Sequence, residues 1–248
     1  IITLTAIVVY LSVYGIKTAK FNNEIIRNVS KINKKINFSL NEVNYLLNPL
    51  NFSINISAKN PKILLEDKSL DLSDITTNIS LKSFINNQFS IDDLKILTKE
   101  IQIKDLISLT RAVKASPQLF VLDNITKAGL ISANINLTFD LDGKIKNDYQ
   151  INGTIKKAKF NIFNQAEIDN LNLSFDISKN QLTLRKIETD FNSIKLKSHL
   201  IKIEEKKNIF FIDGKIINDQ QNFDINKLKP ILGGLLGTIE TEKIDFNS

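Results

Sequence analysis

The chain of 248 residues has no cysteine, no methionine, no tryptophan and a single histidine. Without cysteine there is no disulfide scaffold, no thiol nucleophile and no thiolate metal site. His199 sits on the polar phase of the alternating stretch Ile194–Leu200, with no second imidazole to help it hold zinc. Eight glycines and four prolines are few for this length and exclude collagen-like and proline-rich linker classes. No methionine opens the chain, and Ile1 lies directly inside an apolar run, so the sequence reads as a piece cut at both ends.

A sizeable charge excess is also missing from most of the chain. The net charge of +6 is concentrated at the start: Lys17, Lys20, Arg27, Lys31, Lys34 and Lys35 stand against Glu24 alone, a balance of +5. The rest of the chain is nearly neutral, at +1. A nucleic-acid binder spreads its cations over a groove-sized face. A cluster beside an apolar run instead suits anionic lipid headgroups, at about 1 kcal/mol per cation. These six residues are therefore candidate membrane-surface contacts, and no nucleic-acid partner is expected.

Catalytic patterns fail one by one. Asp140-Leu141-Asp142-Gly143 opens like a calcium loop but lacks the later ligands. Asp92-Asp93 and Glu204-Glu205 are adjacent pairs, whose side chains diverge, which argues against a carboxylate dyad. Gly233-Gly234-Leu235-Leu236-Gly237 has no following Lys-Ser/Thr for a phosphate loop. The expectation is a protein without catalytic residues, metal or cofactor.

What is present is alternation. Ile131, Ala133, Ile135, Leu137, Phe139 and Leu141 are separated by polar residues, the period-2 pattern of a strand with one apolar face. The pattern returns at Tyr149–Ile155, Leu171–Ile177 and Ile194–Leu196, with turns expected at Asp142-Gly143, Asn164-Gln165, Lys179-Asn180 and Lys206–Asn208. Short strand-plus-turn units make an antiparallel meander. Earlier in the chain, Leu50–Ala58 alternates up to Asn60-Pro61, which ends pairing. Further strands are expected at 62–66, 75–82, 89–97 and 100–103, and a helix at 104–115 stopped by Ser116-Pro117. Residues 119–128 fit a second short helix.

At the N-terminus, Ile1–Ile16 is uncharged and is expected to be a truncated transmembrane anchor; the alternative is a cleaved signal segment, without the small-residue cleavage signature. Phe21, Ile25, Val29, Ile32 and Ile36 step by three or four, giving an amphipathic helix that lies on the bilayer or caps the sheet. The expected organisation is an anchor (1–16), a basic helix (17–35), a β module ending in a helix (36–117), a repeating β module (128–217), and an apolar helix leading to a further strand (218–248). The long meander needs a cover for its apolar face. A sandwich, an outward-facing membrane barrel and an inward-facing trough are the three solutions, and the absence of tryptophan girdles disfavours the barrel.

Three segments carry a family resemblance. Ile36–Lys62 (INFSLNEVNYLLNPLNFSINISAKNPK) looks like an opening strand pair with an Asn-Pro turn, Ile101–Leu109 (IQIKDLISL) like a strand leading into a first helix, and Tyr149–Ile203 like a repeating strand unit. Together they resemble the AsmA-like family of envelope proteins. The resemblance implies a mainly β fold, an antiparallel meander curled into an elongated groove (a β-taco), with an N-terminal transmembrane helix and a few short amphipathic helices. It also implies a single-pass protein of the bacterial inner membrane with its bulk in the periplasm. Such a protein transfers phospholipid towards the outer membrane, with outer-membrane or other envelope proteins as partners. On that reading Ile131, Ile135, Leu137, Phe139, Leu141, Ile151, Ile155, Leu171, Leu173 and Phe175 bind lipid. The other reading is an envelope structural or assembly factor with a closed β-sandwich.

Overall fold

A computed structural model describes residues 2–23, 26, 36–65, 68–86, 88, 90–113, 116–162, 166–206 and 209–218. Among the described residues the strands form one open, antiparallel sheet of 14 strands. They are β1 (Ile16–Thr18), β2 (Ile36–Ser39), β3 (Val43–Asn48), β4 (Ser53–Lys59), β5 (Lys62–Leu65), β6 (Lys68–Ser80), β7 (Ile91–Thr98), β8 (Ile101–Gln102), β9 (Thr126–Thr138), β10 (Gln150–Ile162), β11 (Ala166–Ser178), β12 (Gln181–Phe191), β13 (Ile194–Lys206) and β14 (Ile209–Gly214). The helices among the described residues are α1 (Ile2–Val13), α2 (Leu81–Ile85), α3 (Ile103–Val113) and α4 (Pro117–Ile125). The main strand order is β1-β3-β4-β6-β7-β9-β10-β11-β12-β13-β14, with β2 and β5 continuing from β6, and β8 beside β9.

Two compact units divide the chain. The first comprises Ile1–Ile101 and Ser132–Ile151; the second comprises Gln102–Ile131 and the chain from Asn152 onward. β9 and β10 therefore each contribute residues to both.

The first unit builds its core where β5 and β6 meet: Ile63, Leu70 and Leu72 are buried, and Pro61 is fully enclosed. Asn60, at φ +48°, turns the chain before Pro61, so that β4 pairs with the second half of β6 and β5 with its first half. The expected break at Asn60-Pro61 is thus a redirection along a single long partner strand.

Ile1–Ile16, expected to be a truncated transmembrane anchor, is helical over Ile2–Val13. α1 has 12 residues, about 18 Å at 1.5 Å per residue, and no helix among the described residues is long and apolar enough to cross a membrane. Gly15 ends it, at φ +67°, where a Cβ would come within 2.5 Å of the Tyr45 carbonyl oxygen. Only a glycine fits this turn, and beyond it Ile16 pairs with Tyr45 on β3. The expected helix at 17–35 is corrected at its start, since Lys17 and Thr18 belong to β1. Most of its remainder, including Arg27, Lys31, Lys34 and Lys35, lies outside the described residues, as does the helix expected after Asn218.

In the second unit α3 and α4 form a helical hairpin. Ser116 caps α4 by accepting from the Leu119 N–H at 3.3 Å, with Pro117 at the first helical position. Arg111 pairs with Asp123 and lies 5.5 Å from the Phe120 ring centre. Ile103 and Ile107 are buried. Ile103 reaches Gly129 on β9, where a Cβ would lie 2.8 Å from its Cδ1 and 2.7 Å from the Ala158 Cα. Further along the sheet, Ala166, Phe191 and Ile194 form a packed cluster with Ile162, Ile168 and Leu196.

Several long strands change apolar phase part-way, and on β10, β11 and β12 the change coincides with an irregularity. On β11, Ala166 and Ile168 give way to Leu171, Leu173, Phe175 and Ile177, with Asn170 at φ +52° between them. On β12, Leu182 and Leu184 give way to Ile187 and Phe191 across Lys186, also at φ +52°. The β11–β12 register shifts once between Asp169 and Asn172 and back between Asn172 and Ser174. These are β-bulges: one extra residue on each strand keeps the apolar side chains on one face. β10 does the same at Lys157, φ +48°, whose N–H donates to the Asn172 Oδ1 at 3.0 Å.

Candidate functional site

The first unit presents an apolar sheet face assembled from strands far apart in sequence. Three rows of directly opposed residues cross it: Val43–Ala58–Ile75–Ile96–Ile135, Tyr45–Ile56–Thr77–Leu94–Leu137, and Leu47–Ile54–Ile79–Ile91. None is charged. Thr77 satisfies its hydroxyl by donating to the Asp93 carbonyl oxygen at 2.6 Å. Burial pushes the Tyr45 phenol up in pKa. Val43 and Ala58 are buried at one end of the face, while the rest of the three rows is half-buried.

The opposite face of the same strands is polar and partly cross-linked by its own side chains. Asn55 Nδ2 donates to Asn78 Oδ1 at 2.9 Å, and Asn78 Nδ2 to Asp93 Oδ2 at 2.7 Å, a ladder across β4, β6 and β7. Lys59 pairs with Asp74 at 2.5 Å. Beside the ladder, burial and then the adjacent Asp93 raise the Asp92 carboxyl above its ordinary range. The sheet therefore has one polar, partly cross-linked face and one that is mainly apolar.

The ten candidate lipid-binding residues are divided between the units. In the first, Ile135 and Leu137 sit in the first and second rows, paired with Ile96 and Leu94. Phe139 lies beyond β9 in an isolated bridge with Ile145, and Ile151 is half-buried at the start of β10. Leu141 is a correction: it stands in a turn, 58% exposed, and not on the strand face. The physical cause is Asp140, whose Oδ1 accepts the N–H of Asp142 and of Lys144 at 2.9 Å each and ends the strand. In the second unit, Ile131 and Phe175 are buried, and Ile155, Leu171 and Leu173 are half-buried. Of the membrane-surface candidates, Lys17 is exposed opposite Asn44 and Lys20 is exposed in the following turn.

The residues that sequence reasoning passed over are those of β3, β4, β6 and β7, which supply most of the three rows. Each strand's alternation was visible, but the pairing that sets Tyr45, Ile56 and Leu94 in line with Leu137 was not. Among the described residues no three His, Asp or Glu side chains are grouped so as to hold a metal ion. No family model, curated protein or solved structure matches the chain.

Proposed function

We propose that this chain is a lipid-transfer protein that carries phospholipid acyl chains on the apolar faces of its sheet, held at the inner membrane of a Gram-negative cell with its bulk in the periplasm. The observation that supports it is the set of three uncharged rows in the first unit, half-buried over most of their extent and backed by a polar face. A phospholipid leaving a bilayer exposes two acyl chains to water, at about 0.8 kcal/mol per CH₂ and on the order of 20 kcal/mol in all. A face of opposed Ile and Leu side chains removes much of that cost while the headgroup stays in water. Movement along such a face needs no nucleophile or proton donor. The cellular setting in this reading rests on the resemblance of the sequence to the AsmA-like family.

A photo-crosslinking amino acid at Ile135 tests this in cells. Phospholipid captured at that position supports the reading; capture of protein neighbours alone favours an envelope assembly factor and sinks lipid transfer. Leu137→Asn is the companion. On an open face it lowers lipid capture and leaves the melting temperature nearly unchanged. An amide buried without partners would instead destabilise by about 2 kcal/mol or more.

A further inference from the structure

One end of the first unit's sheet carries large apolar side chains in the open. The β3–β4 turn holds Leu50, 95% exposed, and Phe52, 51% exposed; the adjacent α2 holds Phe84 and Ile85, 66% and 67% exposed. The two segments are joined at their bases, where Ser53 opposes Ser80 and the Leu81 N–H donates to the Phe52 carbonyl oxygen at 3.0 Å. Phe52 has φ +48°, a left-handed conformation rare for an aromatic residue. Such local strain persists where the surroundings impose it and clusters at functional positions. The opposite end of the unit hides its apolar residues, among them Ile63, Leu70 and Leu72.

We infer that this end seats on a lipid bilayer surface, with Leu50, Phe52, Phe84 and Ile85 entering the boundary of the acyl layer. Three observations favour lipid over a protein partner or a second copy. Asn48–Ser53 and Ser80–Asn86 contain no carboxylate and one cation, Lys82, which suits phosphate headgroups. Near-complete exposure of Leu50 on a turn tip is the geometry of a side chain that inserts, whereas a partner protein is met by a flatter patch. The third is α1, uncharged and with Ile2, Leu4 and Val13 each more than 60% exposed. It joins the sheet at Ile16, opposite Tyr45, and so enters from the Asn48 side of β3, next to this turn. Leu141 and Ile145 are exposed at the same end, but Asp140, Asp142 and Asp148 beside them confine the contact to the turn and α2. The inference does not need lipid transfer: a protein that only docks would insert these residues and yield no lipid at Ile135.

The absence of tryptophan makes the test direct. Leu50→Trp, Phe84→Trp and, as a control in the second unit, Phe210→Trp are made singly in the full chain. Each is mixed with vesicles of phosphatidylethanolamine and phosphatidylglycerol carrying brominated acyl chains. Emission at positions 50 and 84 shifts to the blue and is quenched on vesicle addition, with little change at 210. In the tryptophan-free chain, Leu50→Asp with Phe84→Asp lowers vesicle affinity about tenfold or more, with the circular dichroism spectrum unchanged. Vesicle binding without a shift at 50 and 84 would mean that α1 alone holds the membrane, and overturns the inference. So does absence of binding, or a blue shift before vesicles are added that accompanies a dimer.

Discussion

Asp140 decides where the strand richest in sequence signal ends. Its carboxylate accepts two backbone N–H groups, and that of Lys144, with help from Asp142, holds the carboxyl below the usual range. The alternation Ile131–Leu141 continues past this point in the sequence, and nothing in it marks Thr138 as the last residue of β9. Asp142-Gly143 reads as a two-residue hairpin with both positions at positive φ, yet only Gly143 adopts it, at +80°. A folded-state pKa below the unfolded value contributes stability that is complete above the ordinary carboxylate range and lost as pH falls through the depressed value. Asp140→Asn removes that titration. The stability gap between the native chain and this variant, from urea unfolding, is therefore expected to be constant at neutral pH and to shrink below about pH 4. A gap that grows on acidification would refute the role given to this carboxylate.

At the scale of elements, the bulges explain why long strands look irregular in sequence. β12 reads as two short patterns out of phase, Leu182–Leu184 and Ile187–Phe191. The phase switch itself was the available signal: an apolar pattern that jumps by one residue without a turn marks an inserted residue. Lys186 is that residue on β12. Deleting it sends Ile187 and Phe191 to the opposite face, and the loss expected by chemical denaturation is about 3 kcal/mol or more. Lys186→Gly keeps the extra residue and relieves the left-handed backbone, so its stability is expected within about 1 kcal/mol of the native chain. Equal effects of deletion and replacement would show that the bulge does not set the face. At the N-terminus the helical part of the apolar run gives way at Gly15, because the backbone of β3 passes too close for any side chain there.

For the whole molecule, the two units are discontinuous in sequence, and β9 is the strand on which this matters most. Its residues from Ser132 complete the first unit, where Ile135 and Leu137 pair with β7 and the Ala133 N–H donates to the buried Thr98 Oγ1 at 2.8 Å. A chain ending at Ile125 leaves β7 without these partners and is expected to lose cooperative unfolding, followed by circular dichroism in urea. A chain ending at Ile151 keeps every segment of the first unit and is expected to retain a cooperative transition. Cooperative unfolding of the shorter chain would mean that β9 is dispensable to that unit.

The sequence by itself determined the local character of this protein: β-strands with one apolar face, breaks at Asn60-Pro61 and Ser116-Pro117, a helix over most of 104–115, and charge gathered near the start. These follow from the two-residue period of side chains along a strand and from backbone constraints at proline, which act between neighbours in sequence. Only the tertiary structure decided which strands lie side by side, and so which apolar residues share a row. Val43 and Ile135 stand in one row because β3, β4, β6, β7 and β9 pair in that order. Alternation is the same on every strand and closing a longer loop adds little cost, so local pattern does not select one partner over another. That choice turned separate amphipathic strands into one continuous apolar face.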